Sequence, residues 1–92
     1  MIKVHNLNGT TDNKPPRGYE SWKEWWEERK NRSFNKCSCS ICISKAEVGA
    51  HVQKSGSVDK KWYIVPLCKS CNSSKINMNF YVNENDLEQI NI

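Results

Sequence analysis

The sequence predicts a small α+β domain built as a cysteine knuckle, a β-hairpin and a short helix, preceded by a Trp-rich amphipathic helix. Three observations carry that expectation. The cysteines fall in two groups, "CSCSIC" at 37–42 and "CKSC" at 68–71. Between them, "KAEVGAHVQK" and "WYIVPL" show the small, branched and aromatic residues of paired strands, with "SGSVDKK" as the connection. Ahead of them, "YESWKEWWEERKNR" places Trp22, Trp25, Trp26 and Arg29 at i, i+3, i+4 and i+7, one stripe of a helix.

Residues 1–18 read as a flexible lead, because "NLNGTTDNKPPRG" collects Gly, Pro and polar residues with little apolar content. Residues 19–92 read as one domain. Its packing helix occupies 19–33: Ser21 and Glu24 have the spacing of a capping box, and Arg29, Lys30 and Arg32 end it as the helix dipole prefers. The Trp stripe is read as the face that docks on the rest of the domain, with a base-stacking or protein-docking surface as the alternative. The hairpin connection is long for a tight turn, and Pro66 closes the second strand where a ladder amide would be lost. "CKSCNSSKINM" reads as a short helix, and 79–92 as a last strand and a turn capped by Asn85 or Asp86.

The chain has 92 residues, 37% of them hydrophobic, and a mean hydropathy of −0.79, so a core alone supplies little stability. A staple is expected. Five cysteines, an odd number, fit a disulfide framework poorly, and "MIKVHNLNGTTDNK" carries no apolar signal segment. A reducing, cytoplasmic setting and a metal are therefore the expectation, and no membrane segment is visible. Cys68-x-x-Cys71 has the spacing of half a tetrahedral Zn²⁺ site. In the other group Cys39 and Cys42 enclose two residues and Cys37 and Cys42 enclose four, both permitted spacings. The predicted ligands are Cys39, Cys42, Cys68 and Cys71, with Cys37 as the alternative to Cys39. Structural zinc of this kind contributes about 10–16 kcal/mol of apparent binding energy, enough to fold a core-poor chain. The order of knuckle, hairpin and helix is that of a treble-clef finger.

Charge adds a possible partner. The net charge is +4, distributed as +3 over residues 1–36, +4 over 37–75 and −3 over 76–92. A basic front and cysteine region can meet a phosphate backbone. The predicted contacts to DNA or RNA are Arg29, Lys30, Arg32, Lys54, Lys60, Lys61, Lys69 and Lys75. A protein partner on the Trp helix, with zinc serving only as a staple, is the competing expectation.

Over residues 37–78 the chain resembles the HNH superfamily of treble-clef nucleases. The residues that carry the likeness are "GAHV" on the first hairpin strand, "IVPLCKSCN" leading into the helix, and "SSK" after it. The resemblance implies His51 as the general base for attack on phosphorus and Asn72 as the helix ligand of a second divalent ion such as Mg²⁺. It also implies Lys75 as a phosphate contact. Ala50 stands where the family places a metal-binding acid or imidazole, and Tyr63 where it places the Asn that orients the base. Glu47 and Asp59 are the carboxylates near enough in sequence to replace them. The expected function is therefore a zinc-stabilised, HNH-like nucleic-acid-binding protein without an intact nuclease site. A metal-dependent endonuclease using His51 is the alternative. His51 can equally be a phosphate or ion contact, or a packed structural histidine.

Overall fold

The computed structural model describes residues 1–7, 14–56, 58–74 and 78–90. In chain order the elements are strand β1 (Ile2–Asn6), helix α1 (Trp22–Lys30), strands β2 (Val48–Lys54) and β3 (Tyr63–Leu67), helix α2 (Lys69–Ser74) and strand β4 (Asn79–Val82). A 3-10 turn (Glu84–Asp86) and strand β5 (Glu88–Gln89) complete them. The strands form one antiparallel sheet in the order β4-β1-β2-β3-β5.

The expected hairpin is β2 with β3, in a register that sets Gly49 opposite Pro66 and His51 opposite Ile64. Pro66 lies inside β3 rather than ending it. It is tolerated because β5 pairs only with Tyr63 and Ile64, leaving the Pro66 end of that edge outside the ladder.

Residues 2–6 differ from the expected flexible lead. Ile2–Asn6 form β1, which sits between β4 and β2, with Val4 aligned to Phe80 on one side and to Lys54 on the other. Val4 is fully buried. "IKVHN" is short and runs straight into the Gly- and Pro-rich stretch, and its partners lie some fifty and eighty residues away, so nothing local pairs it.

Helix α1 forms where the Trp periodicity placed it. Ser21 Oγ accepts from the Glu24 amide at 3.0 Å, and Asn31, at φ 57°, takes the left-handed conformation that stops the helix. Trp25 and Trp26 are buried, so the stripe is core. The final turn is capped by Asn83, whose side chain accepts from the Asn85 amide, rather than by Asn85 or Asp86.

Strand alternation divides the core into two layers. Trp25, Trp26, Phe34, Ala46, Ile64 and Ile90 fill the α1 side. Val4, Ala50, Val52, Val65, Leu67 and Phe80 point to the other side, together with the cysteines. These two layers decide where each candidate functional residue lies. No described helix is long and apolar enough to cross a membrane.

Candidate metal centre

The first cysteine group is held by backbone pairing on both flanks. Lys36 and Lys45 form an isolated antiparallel bridge, the Cys37 amide donates to the Ser44 carbonyl at 2.7 Å, and the Cys42 amide donates to the Cys39 carbonyl at 3.0 Å. A tight loop therefore brings Cys37 and Cys42 together. The second group sits where β3 runs into α2. Glu47, just before β2, accepts from the Lys69 amide at 3.1 Å and so satisfies an open donor at the start of that helix.

The sulfur atoms of Cys37, Cys42, Cys68 and Cys71 all lie within 4.8 Å of one another. A tetrahedron with metal–sulfur bonds of about 2.3 Å has edges of about 3.8 Å. Cys42 Sγ and Cys68 Sγ stand 3.8 Å apart, and the five cysteines are free of disulfides. Backbone amides point at sulfur: Ser44 N to Cys42 Sγ and Cys71 N to Cys68 Sγ, each at 3.4 Å, with those of Cys68 and Cys39 directed at Cys37. Such donors stabilise thiolate rather than thiol.

The donor set is electrically frustrated without a cation. Burial pushes the Cys71 thiol up, and the neighbouring Cys68, Cys42 and Cys37 push it further; burial also raises Cys37. Cys42 is drawn down, to about 6, chiefly by the Ser44 amide and then by the Ser44 hydroxyl. Four thiols this close cannot all ionise unless a positive ion joins them. The site can hold a metal ion, and four thiolates are a donor set that soft and borderline cations such as Zn²⁺ accept.

Of the two permitted spacings, the four-residue one supplies the fourth thiol. Cys37 belongs to the cluster and Cys39 does not. Cys39 forms an isolated bridge with Val82 and begins the turn to Cys42, so its side chain is 1% exposed among the sheet residues. Sequence reasoning also passed over Ser44, which donates to Cys42 by its amide. Its only signal was its place two residues beyond a ligand.

The nuclease residues are not brought together. His51 points to the α1 layer, where its ring meets Trp22 edge to face with centres 4.9 Å apart and Trp62 at 6.2 Å. Asn72 is on the opposite side of the sheet: its carbonyl accepts from Asn6 Nδ2 at 3.2 Å, and Asn6 is aligned with inward-facing Val52. The sheet separates base from ligand. The two spare carboxylates are also engaged elsewhere, Glu47 at the start of α2 and Asp59 with the Tyr63 hydroxyl at 2.5 Å and the Lys61 amide at 2.8 Å.

The predicted phosphate contacts divide. Arg29 and Lys30 pair with Glu88 at 3.2 and 3.4 Å, Arg32 pairs with Asp86 at 2.6 Å, and Lys54 pairs with Asp59 at 3.7 Å. Arg29 and Arg32 also lie over the rings of Trp25 and Trp26. These four cations serve the fold. Lys60, Lys61 and Lys69 are exposed, and Lys75 lies outside the described residues.

No family model, curated protein or solved structure matches this chain.

Proposed function

We propose that the chain is a zinc-stapled nucleic-acid-binding domain, not a hydrolase. The observation that carries this is the closure of the metal cluster: four thiols from one shell would saturate a tetrahedral ion and leave no position for water or substrate. Zinc bound there would supply folding energy and no Lewis-acid chemistry. The placement of His51 and Asn72 on opposite faces supports the same conclusion, since a hard cation needs carboxylate oxygen and the one group of His, Cys, Asp or Glu side chains placed to hold a metal among the described residues is the four cysteines.

Support for nucleic acid comes from charge. Lys60 and Lys61 in the hairpin connection and Lys69 on α2 are exposed, on a chain of net charge +4. Exposed lysines are among the groups that neutralise a phosphate backbone. The test is fluorescence anisotropy of zinc-loaded protein with labelled single strands and duplexes, between about 50 and 200 mM salt. Three lysine contacts to a single strand should give a slope of log affinity against log salt near −2, at about 0.7 per contact. Affinity independent of salt, or no binding to either form, removes the proposal. A plasmid-nicking assay with Mg²⁺ or Mn²⁺ should show no cleavage that depends on His51.

One observation favours a second reading, a protein-interaction module. Ile41 and Ile43 flank Cys42 at the knuckle tip and are 81% and 90% exposed. The buried Trp helix is not available for that role, so a protein partner would dock on the tip. Loss of a salt-insensitive self-association in an Ile41→Ser/Ile43→Ser variant would support it.

A further inference from the structure

Helix α1 covers only part of its side of the sheet, lying over β2, β3 and β5. The rest of that face can be read from the register. His5 is aligned with Gln53 on β2 and with Asn79 on β4, and Lys3 is aligned with Tyr81. Aligned residues share a face, and so do residues two apart on one strand. Lys3, His5, Gln53, Asn79 and Tyr81 therefore stand together on the part that α1 leaves open, beside His51 at the helix border.

We propose that this open part of the sheet is a stacking surface for single-stranded nucleic acid. The inference rests on the nucleic-acid proposal above and places its base contacts. Tyr81 is 49% exposed, and every other aromatic side chain in the protein is buried or half-buried. An aromatic ring left in water on a polar face suits a partner with a π face, and every unpaired base has one. Beside it the exposed Lys3 offers a phosphate contact, and none of the five side chains is acidic.

The surface is also ordered in advance. Ser55 Oγ donates to Asn79 Oδ1 at 2.8 Å, so the 3.0 Å contact between His5 Nδ1 and Ser55 Oγ is a donation from the imidazole. In the neutral imidazole this places the proton on Nδ1 and leaves Nε2 as an acceptor for a base amino group or a ribose hydroxyl. Gln53 is held by donation to the Lys60 carbonyl at 2.7 Å, which brings the lysine-bearing hairpin connection to the rim of the same face. A strand of nucleic acid lying across β4, β1 and β2 would meet two strand spacings, about 10 Å, of flat polar surface. A duplex would present its backbone there and hide its bases, so the single strand is the form that fits.

The experiment compares full-length, zinc-loaded wild-type protein with Tyr81→Ala, Tyr81→Trp and Lys3→Gln. Anisotropy is read with labelled oligo-dT, oligo-rU and a mixed-sequence duplex, and circular dichroism and metal content confirm equal folding. Loss of one base stack should weaken single-strand binding roughly 5- to 150-fold in Tyr81→Ala, with Tyr81→Trp recovering the loss. Lys3→Gln should lower affinity and reduce the salt slope by about 0.7 on a single strand. Wild-type binding with an unchanged Tyr81→Ala affinity overturns the stacking surface and leaves the nucleic-acid proposal standing. A loss of the same size on the duplex overturns the assignment to single strands. Absence of binding by the wild type overturns both.

Discussion

The imidazole of His51 packs edge to face against the indole of Trp22, ring centres 4.9 Å apart, and its Nε2 has no hydrogen-bond partner among the described residues. A histidine 9% exposed between aromatic edges is favoured in its neutral form, and burial holds it below its ordinary value. The unfolded chain therefore takes up a proton more readily than the folded one. The stability this residue supports is complete above about pH 6.5 and is lost as pH falls toward the folded value, by at most about 1.4 kcal/mol per pH unit. Chemical denaturation between pH 5 and 8 reads the effect. His51→Phe keeps an aromatic in the slot and removes the proton, so wild type should lose stability relative to the mutant as pH falls. A difference flat across that range would mean that His51 is solvated.

The metal cluster makes the fifth cysteine a control for the other four. Cys37→Ser removes a donor from the shell, whereas Cys39→Ser alters a buried side chain outside it. Metal content per chain should stay near one in Cys39→Ser and fall sharply in Cys37→Ser. Chelation of the wild type should abolish cooperative melting, since a contribution of about 10–16 kcal/mol exceeds what so small a core supplies. Retention of metal by Cys37→Ser together with its loss from Cys39→Ser would reverse the assignment.

Cysteine spacing made the four-thiol cluster legible to within one residue, and Trp periodicity made α1 legible with its cap at Ser21. The choice between Cys37 and Cys39 was not legible, because both spacings reach a tetrahedral ion and what separates them is the bridge between Cys39 and Val82. That contact spans 43 residues and leaves no local trace. The same is true of β1, whose pairing depends on strands far along the chain. The face of His51 was hidden for a different reason. Alternation along β2 says only that His51 opposes Ala50 and Val52; which side carries α1 depends on packing. "GAHV" therefore leaves His51 open between a general base, a phosphate or ion contact and a packed residue, and the structure packs it against a tryptophan.

The acidic end of the chain clamps the basic end of α1. Asp86 pairs with Arg32, accepts from Ser38 Oγ at 2.8 Å, and gives its carbonyl to the buried Trp26 Nε1 at 2.8 Å, while Glu88 takes Arg29 and Lys30. Arg29 and Arg32 are nearly half exposed, so solvent weakens their pairs; Glu88→Gln should cost less than about 1 kcal/mol and less still in high salt. Asp86→Ala also strands a partly buried hydroxyl and should cost about 1–2 kcal/mol. Because these cations are already paired, Arg32→Gln should leave the salt slope of nucleic-acid binding unchanged. A slope reduced in that variant would return the helix end to the binding surface.

Gly49 is the point at which helix and sheet come closest. A Cβ built there would lie 2.9 Å from Trp22 Cβ, 3.0 Å from Ile64 Cγ2 and 3.1 Å from the Trp22 carbonyl carbon. Two of these atoms belong to the first residue of α1, on or next to its backbone, and the third to a fully buried side chain. None is the free end of a flexible chain. Gly49→Ala therefore has to lift the start of α1 away from the sheet, which overpacking elsewhere suggests costs about 1–3 kcal/mol. The gain from a less flexible unfolded chain, about 0.4–1 kcal/mol, offsets only part of this. Lifting α1 also loosens Trp22 from His51, so Gly49→Ala should reduce the pH dependence attributed to that histidine as well as the midpoint of unfolding. Denaturation at two pH values measures both, and a Gly49→Ala protein as stable as wild type would show that α1 does not bear on the strand at this position.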